Sequence, residues 1–469
     1  MFIFTTSDEY MRRAFVNRGW VENTTTNVFD IRWDLNENAV DFSQLRQGQL
    51  CNHFPSNQEL TTKIGLNRNL LRATYCEPWF PRCYDFTEEK QIQEFVKDFQ
   101  YSSIVNFVKK HAQYFKSIHE DEMKEIKRNR SKRYKERYLP LPDGNKNKIN
   151  IILLKAAISF VEYRIKIRIE VTEEGKTHKW FKYKKSIKNI FDTLVTLGQL
   201  NVPPYSSSIL KEYSEIITDG WTVPSSHLEY KAIAVLKEYN KIYPQSKITG
   251  CNNIWVVKPS FSSRGIGVHC INSPKDELFT VKKTKAKVIQ KYIERTFLLS
   301  IPSQNGRLEK RKFDLRQWVL VTSISPLIVY MFNSCYLKIC GSEFTLDDFK
   351  DKYKHISNYT IQKKNEKVNN IKSDLIMSVP QFVEHIRRHY GIRLDWENEM
   401  IPKLAKIIKE TMYAGWDVIE HKANSFELLG FDFVLDYKLN PWLIEVNLSP
   451  ACSERTDWLI DMLGKGNIK

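Results

Sequence analysis

The stretch from Phe426 to Asn447, FELLGFDFVLDYKLNPWLIEVN, decides the fold prediction for this chain. It contains two mainly apolar runs, Leu428 to Val434 and Trp442 to Val446, separated by the turn residues of Asp436 to Asn440. Apolar runs of this length on either side of a turn are typical of an antiparallel β-hairpin. We therefore predict two adjacent strands whose few polar side chains lie in a mostly buried segment.

Three of those polar residues, Asp432, Glu445 and Asn447, carry the oxygen atoms that Mg²⁺ prefers. Side chains alternate between the faces of a strand, so Glu445 and Asn447 point the same way. A buried carboxylate is costly unless it is paired or bound to a cation. The residues alone leave two interpretations open: a magnesium site, or a polar strand edge whose acids are exposed or neutralised by a nearby Lys or Arg.

The composition of the chain fits a protein with packed domains. Its 469 residues are 42% hydrophobic and 13% aromatic, which is enough for two or three domains. No apolar run approaches the length of a membrane span, and the N-terminus, MFIFTTSDEYMRR, lacks a signal-peptide pattern. We therefore expect a cytosolic location. The eight cysteines are scattered without a CxxC pair, so we expect reduced thiols.

The net charge of +17 indicates a large anionic partner. The excess is concentrated between Lys124 and Lys188, in KEIKRNRSKRYKER and KTHKWFKYKKSIKN. A basic run by itself is more often a solvated linker or helix, but the overall imbalance favours a docking surface. Nucleic acid, a membrane and an acidic protein stay open as partners, although the run contains no recognised RNA- or DNA-binding module.

Periodicity along the chain predicts a small α/β unit up to Phe86, followed by a helical, basic insertion. Apolar residues recur at helical spacing from Gln91 to Phe115 and again after Ile149. Two more helical patterns follow between Ile187 and Tyr243. Strands dominate from Asn253 onward.

A second candidate for ligand binding begins at Lys258. The strand Ile254 to Val257 ends there and is followed by PSFSSRGIGVHCI, a Ser/Gly-rich bend that leads into another apolar strand. Small residues let backbone amides approach phosphate oxygens, and Lys258 and Arg264 supply positive charge. The pattern predicts a phosphate-binding flap, although an ordinary surface hairpin has the same signature and no Walker A or Rossmann motif is present.

Two further strands carry polar residues in an apolar setting. KVIQKYIE, from Lys287 to Glu294, is either an amphipathic edge strand or a strand whose end presents backbone groups to a flat heterocycle. KFDLR, from Lys312 to Arg316, places a cation, an anion and a cation on one face. Such a row either faces a ligand or forms a surface salt-bridge ladder.

The order of these segments resembles that of an ATP-grasp ligase, and more closely that of the tubulin tyrosine ligase-like family. Lys258, the SSRGIG flap, QKYI, KFDLR and the acid hairpin follow one another in the family's order. Upstream, NHFPSNQELTTKIGL and WFPRCYDF resemble the glycylase branch, as does the long insertion before the flap. The resemblance covers nearly the whole chain.

The resemblance implies an α/β (α+β) ATP-grasp fold that uses ATP and Mg²⁺. The expected parts are an N-terminal α/β domain (1–86), a helix-rich basic insertion and linker (87–250), a central nucleotide-binding domain (251–322) and a C-terminal catalytic domain (323–469), the last two with antiparallel sheets.

Functional residues carry over from the family by position. The resemblance implies that the flap closes over the ATP phosphates and that the QKYI segment holds the adenine. The implied nucleotide-binding residues are Lys258, Arg264, Gly265, Ile266, Gly267, Gln290, Lys291, Tyr292, Ile293, Lys312, Asp314, Ser357 and Asn358. The implied catalytic residues are Arg316, Lys338 and Glu445, and the implied magnesium ligands are Asp432, Glu445 and Asn447.

Two positions depart from the family's usual pattern. Ser357 stands where the family has Thr in an H-[LI]-T-N segment. After Tyr330 the family shows an Arg-Glu-Gly type turn and then a second Arg, whereas this chain has Asn333 to Cys335 and then Lys338. Lysine keeps the charge but loses the bidentate fork of arginine, which changes how an amino acid or acyl phosphate is held.

The implied reaction joins free glycine to the γ-carboxyl of glutamates in acidic tubulin tails. A carboxylate is a poor electrophile, so ATP must first convert it to an acyl phosphate, from which an amine displaces phosphate. We expect a monomer that binds tubulin and microtubules but neither nucleic acid nor a membrane. It would act in the cytoplasm, on the cytoskeleton and in the axoneme of a cilium or flagellum. A glutamate-adding enzyme of the same fold and a catalytically silent microtubule-binding relative stay open as alternatives.

Overall fold

The computed structural model describes residues 1–4, 9–26, 28–34, 41–129, 149–174, 221–222, 226–262, 264–280, 286–303, 305–365, 375–448 and 450. The chain divides into two compact units. The first unit comprises Met1–Thr87, Val256–Cys270 and Lys283–Lys469, and the second comprises Glu88–Trp255 and Ile271–Lys282. The predicted boundaries of four domains stay a prediction.

The strands within the described ranges are numbered in chain order. They are β1 Phe2–Phe4, β2 Ile31–Trp33, β3 Leu50–Asn52, β4 Cys83–Asp85, β5 Ile149–Asn150, β6 Trp221–Thr222, β7 Trp255–Pro259, β8 His269–Ile271, β9 Lys287–Lys291, β10 Leu299–Pro302, β11 Leu308–Arg311, β12 Phe313–Ile324, β13 Leu327–Met331, β14 Tyr336–Ile339, β15 Ile376–Ser378, β16 Ser425–Leu435 and β17 Pro441–Leu448.

The helices are numbered in the same way. They are α1 Glu9–Val16, α2 Gln58–Thr61, α3 Lys63–Ala73, α4 Glu89–Asn129, α5 Ile151–Glu174, α6 Ser226–Ile242, α7 Lys275–Thr280, α8 Lys352–His355, α9 Tyr359–Gln362, α10 Val379–Tyr390 and α11 Ile401–Gly415. Short 3₁₀ turns lie at Phe42–Gln44 and Pro244–Lys247, and a π-helical turn at Trp396–Met400 leads into α11.

Nine of the described strands form one mixed sheet in the first unit. Its order is β1-β2-β3-β16-β12-β14-β15, with β13 paired to β12 and β17 to β16. Pairing is parallel from β1 to β16 and antiparallel from β16 to β15. The N-terminal strands therefore extend the sheet that contains the C-terminal hairpin.

The predicted acid hairpin is confirmed. β16 and β17 pair antiparallel, with Asp432 opposite Glu445 and Gly430 opposite Asn447, and the register shifts just after Asp432. The chain needs glycine at 430, because a Cβ there would lie 2.8 Å from the Cβ of Pro450 and 3.2 Å from the Cδ of Arg316. This close approach brings the guanidinium of Arg316 over the hairpin.

Helix α11 covers one face of the sheet through a periodic apolar stripe. Leu404, Ile407, Ile408 and Met412 are buried, at the spacing that places side chains on one side of a helix. They pack in the main core with side chains of β12 and β16, such as Phe431. The opposite face of α11 is thereby left toward solvent.

A four-stranded sheet of order β4-β9-β7-β8 carries the other predicted ligand segments. Strand β9 lies between β4 and β7, and all five of its residues are buried. The interpretation of KVIQKYIE as an amphipathic edge strand is therefore wrong. Its buried polar side chains have partners, because Gln290 Oε1 accepts from Lys258 and Lys291 pairs with Glu294.

The second unit is mainly helical, as predicted. Helices α4 and α5 confirm the periodic segments from Gln91 and after Ile149, and they pack with α6 around Val108, Leu154 and Ala232. Helix α6 accounts for one of the two patterns predicted between Ile187 and Tyr243, and the other lies outside the described residues.

The structure also bears on the cysteines and on membrane-spanning helices. The cysteines at the described positions are all free thiols. Within the described ranges, no helix combines the length and the hydropathy that a membrane span requires.

Candidate functional site

A cavity of about 330 Å³ in the first unit collects most of the predicted site. Its lining includes Lys258, Arg264, Gly265, Gln290, Lys291, Tyr292, Ile293, Lys312, Asp314, Asn358, Asp432, Glu445 and Asn447. The lining does not include Ile266, Gly267, Ser357, Arg316 or Lys338. Three of these five nevertheless act on the cavity, because Ser357 contacts Asp314, and Arg316 and Lys338 contact Asp432.

Lys258 is a buried ammonium group in this cavity. Strand β7 directs it across the small sheet, where Nζ donates to Gln290 Oε1 at 2.6 Å and to the carbonyl of Ile444 at 3.2 Å. Burial lowers the pKa of Lys258, and the nearby Glu445 carboxylate opposes that shift. Because the groups that accept hydrogen bonds from Lys258 Nζ are neutral, its positive charge can attract an anionic ligand.

Lys312, just before β12, forms a charged pair with Asp314 in that strand. Lys312 Nζ lies 2.5 Å from Asp314 Oδ1, and the hydroxyl of Ser357 donates to the other carboxylate oxygen. Burial would lower the pKa of Lys312, but the Asp314 carboxylate raises it above its ordinary value. The predicted row of KFDLR therefore faces the cavity at its first two charged positions.

Asp432 is held by two cations. Arg316 binds both carboxylate oxygens, with Nε 2.5 Å from Oδ1 and an NH2 group 3.0 Å from Oδ2, and Lys338 Nζ lies 2.9 Å from Oδ2. Asn447 Nδ2 donates to the same oxygen at 3.3 Å. Burial would raise the pKa of Asp432, but the charges of Arg316 and Lys338 hold it well below its usual range.

Glu445 has a different environment. Its carboxylate lines the cavity with 22% of the side chain exposed, and among the described residues it forms one ion pair, with Lys63 Nζ at 3.8 Å. At that distance the pair is loose compared with the direct contacts of Asp432. The two carboxylates are cross-strand neighbours on β16 and β17, but they differ in their ability to bind a ligand. Glu445 is the one that can do so.

The donor set fits Mg²⁺ only in part. Among the described residues, no group of three or more His, Cys, Asp or Glu side chains could hold a metal ion. Glu445 and Asn447 supply hard oxygen ligands, as Mg²⁺ bound together with substrate phosphates requires. Asp432, however, is neutralised by Arg316 and Lys338. This is the alternative to metal binding that the sequence left open for these acids.

The end of β9 forms a rigid, neutral side of the cavity. The hydroxyl of Tyr292 lies 2.9 Å from His355 Nδ1, and His355 Nε2 lies 3.1 Å from the carbonyl of Asp348. Because the carbonyl only accepts, Nε2 carries the proton and Nδ1 accepts from Tyr292. Burial lowers the pKa of His355 to about 4. Lys291 is neutralised by Glu294 at 2.6 Å, with both side chains fully buried.

The glycine-rich flap is attached to the cavity at two points. Lys63 Nζ donates to the carbonyl of Ser262 at 2.9 Å, and Thr360 Oγ1 donates to the carbonyl of Arg264 at 2.8 Å. Gly265 has φ +75°, and a Cβ at this position would lie 2.6 Å from Ile361 Cδ1. Residues of α9 thus support the flap from outside.

Sequence reasoning assigned no role to Lys63 or His355. Lys63 is the first residue of α3, where Thr62 caps the helix by accepting from the N–H of Gly65 at 3.1 Å. A lysine in the first turn opposes the helix dipole, and that local conflict was the one signal in the sequence. His355 is the histidine of the H-[LI]-T-N segment, which was a signal in the sequence, but its partners Tyr292 and Asp348 are fixed only by the fold.

Fold and site together define a mixed α/β protein of ATP-grasp-like architecture with a cation-rich ligand cavity. The chain belongs to the tubulin-tyrosine ligase family, whose family model matches residues 208–465, more than half of the chain. The prediction of the family is confirmed.

Curated relatives extend the similarity upstream of that match. Tubulin glycylase 3E of Tetrahymena thermophila is 31% identical over 98% of this chain and 35% of its own length. Protein monoglycylase TTLL8 of Mus musculus is 27% identical over 90% of this chain and 49% of its own length. Tubulin monoglycylase TTLL3 of Danio rerio is 27% identical over 90% and 53%. The chain therefore spans about a third to a half of the length of these relatives.

Proposed function

We propose that this protein is an ATP-dependent ligase that joins glycine to glutamate side chains in the acidic tails of tubulin. The observation that carries the proposal is one cavity whose lining contains the cations Lys258 and Lys312 together with the loosely paired carboxylate of Glu445. Buried cations suit the phosphates of a nucleotide, and the named glycylases among the relatives support the choice of acceptor and amino acid.

The proposed reaction has two steps. An oxygen of the acceptor carboxylate attacks the γ-phosphorus of ATP, the bond to the β-phosphate oxygen breaks, and ADP leaves. The neutral amine of glycine then attacks the acyl carbon, phosphate leaves with the bonding electrons, and the amine loses a proton. The products are an amide, ADP and phosphate.

The residues of this chain bind and orient the reactants in that scheme. Lys258 and Lys312 hold phosphate oxygens, the flap residues Arg264 to Gly267 close over them, and Gln290 to Ile293 at the end of β9 hold the adenine. Magnesium, when bound with the nucleotide, would supply charge neutralisation on the phosphates, and Glu445 and Asn447 are the residues that would hold it. Arg316 and Lys338 keep Asp432 ionised beside them.

The experiment that tests this function is mass spectrometry of tubulin tails after incubation with the protein, ATP and a mixture of amino acids. Glycine on glutamate side chains is the expected product. Glutamate on the same side chains would identify a glutamate-adding enzyme instead, and unmodified tails with bound microtubules would identify a catalytically silent relative. The proposal includes a monomer on the microtubule cytoskeleton, including the axoneme of cilia, with no nucleic-acid or membrane partner.

A further inference from the structure

Four large apolar side chains outside the cavity are exposed in one region of the first unit. Leu71, Tyr75, Tyr413 and Trp416 each expose between 41% and 51% of their surface. Exposed apolar residues are ordinary when scattered, but a contiguous group on a soluble surface marks an interaction site. These four lie on α3, on α11 and just beyond their C-terminal ends.

Hydrogen bonds join the two helix ends into one surface. The hydroxyl of Tyr75 donates to the carbonyl of Glu410 at 2.8 Å. Arg72 donates to the carbonyl of Ala414 at 3.0 Å and to a carboxylate oxygen of Asp417 at 2.5 Å. The ends of α3 and α11 are therefore fixed relative to each other, so the exposed side chains form a surface of defined shape.

A strained turn maintains this arrangement at the end of α3. Thr74 has φ +61°, in the left-handed region that β-branched residues avoid. The turn brings the chain around so that Tyr75 reaches α11. Strained residues of this kind persist where the surrounding structure holds them, and they concentrate at functional surfaces.

The outward face of α11 adds positive charge to the aromatic side chains. Lys406, Lys409, Tyr413 and Trp416 follow at spacings of three, four and three residues, so they lie on one face, opposite the buried stripe. All four are exposed, and Lys409 Nζ lies 5.8 Å from the centre of the Tyr413 ring. Aromatic anchors supply much of the binding energy of protein interfaces, and the lysines select an acidic partner.

This surface lies close enough to the cavity for a bound acceptor protein to place its tail in the cavity. Helix α3 starts at Lys63 in the cavity lining and ends beside Leu71 and Tyr75. Its 11 residues correspond to about 16 Å, a distance that about five residues of extended peptide can span. A partner bound at the far end of α3 can therefore reach the cavity with a short extended tail.

We propose that the α3–α11 surface, formed by Leu71, Tyr75, Lys406, Lys409, Tyr413 and Trp416, docks the folded body of the acidic acceptor protein while its tail enters the cavity. This inference rests on the proposed function. The surface sets affinity for the acceptor and takes no part in the chemistry.

The test compares two double variants with wild type. Y413A/W416A removes the aromatic anchors, and K406E/K409E reverses the charges. Co-sedimentation with microtubules and steady-state kinetics are measured for each, together with the midpoint of thermal unfolding. We expect both variants to lose at least tenfold in microtubule affinity and to raise KM for tubulin by a similar factor. The kcat value, KM for ATP and the unfolding midpoint stay as in wild type.

A matched control uses an aromatic side chain exposed elsewhere. Tyr230 on α6 exposes 65% of its surface, and Tyr230→Ala is expected to change neither affinity nor kinetics. Wild-type affinity in both double variants would overturn the docking surface, as would absence of microtubule binding by wild type. A dimer of wild type that Y413A/W416A dissociates, seen in sedimentation velocity, would also overturn it by showing that a second copy covers the surface.

The outcomes separate this inference from the proposed function. If wild type adds glycine to tubulin and the double variants do so with unchanged KM, the docking surface is rejected and the proposed ligase function is retained. If wild type binds microtubules through this surface without adding an amino acid, the function fails and docking stands.

Discussion

At the scale of single residues, the site depends on two carboxylates that face each other with different environments. Asp432 is bound directly by Arg316 and Lys338, whereas the one ion pair of Glu445 within the described part of the chain is the longer one with Lys63 Nζ at 3.8 Å. Environment assigns distinct roles to chemically similar groups. Asp432 organises the cations of the site, and Glu445 remains open to a ligand.

Replacing Glu445 by Gln tests that division. Glu445→Gln keeps the size of the side chain and removes the negative charge, so we expect ligation to be lost because the site loses the carboxylate that would hold Mg²⁺ beside the nucleotide phosphates. The unfolding midpoint and microtubule binding should stay close to wild type, since the pair with Lys63 is loose. A variant that turns over at the wild-type rate would contradict the assignment.

Lys338 tests the role of Asp432. Lys338→Met removes one of the two cations from a carboxylate whose side chain is only 5% exposed, so we expect a loss of roughly 2 kcal/mol in the free energy of unfolding. Lys338→Arg keeps the charge and is the matched control, with stability near wild type. Urea unfolding at neutral pH measures both, and equal stability of the Met variant and wild type would show that Arg316 alone suffices.

At the scale of elements, the flap depends on α9 for its position. Gly265 lies against Ile361 and Asn358, and Thr360 binds the carbonyl of Arg264. A short helix that follows the predicted Ser357-Asn358 pair therefore holds the glycine-rich loop over the cavity. The sequence indicated the flap, but it did not indicate what supports it.

Gly265→Ala is expected to displace the flap. The new Cβ would lie 2.6 Å from Ile361 Cδ1, and alanine is strained at φ +75°. We expect at least a tenfold loss in affinity for ATP, measured by isothermal titration calorimetry. Gly306→Ala is the control, because Gly306 has φ +79° with nothing within 4 Å of the added Cβ. Both variants should lose about 1 kcal/mol of stability from backbone strain, and equal ATP affinity in both would show that the contact with α9 is unimportant.

The elements also show how far pattern reasoning extends. Alternation and turn residues predicted β16 and β17 correctly, because both signals are local. The prediction for β9 allowed an edge strand, since a segment of buried polar and apolar residues has the same pattern in either position. Its partners β4 and β7 lie far away along the chain, so only pairing in the folded state decides that β9 is internal.

At the scale of the whole molecule, each unit contains a buried histidine that must stay neutral. Burial lowers the pKa of His111 and of His355 to about 4. In the unfolded chain a histidine binds its proton near pH 6.5. Between these values the unfolded state binds more protons, so stability is fully present above pH 6.5 and decreases as the pH falls toward 4.

Thermal unfolding across this range tests the expectation. The unfolding midpoint should fall steadily between pH 6.5 and pH 4.5, and His355→Gln should make the fall less steep in the first unit because it removes one titrating group. Differential scanning calorimetry in buffers of matched ionic strength measures the effect. A midpoint that is constant over this range would show that neither histidine is buried as described.

The ordered series of motifs from Lys258 to Asn447, the hairpin that carries the acids and the net charge of +17 follow directly from the amino-acid sequence. Motif order, strand pattern and net charge depend on the identity and local spacing of the residues, and neither changes when the chain folds. Three features required the folded chain: Arg316 and Lys338 neutralise Asp432, Lys63 approaches Glu445, and aromatic and basic side chains meet where α3 and α11 end. Such pairs are distant along the chain, and short-range electrostatic and packing forces act on them only after the strands and helices have come together.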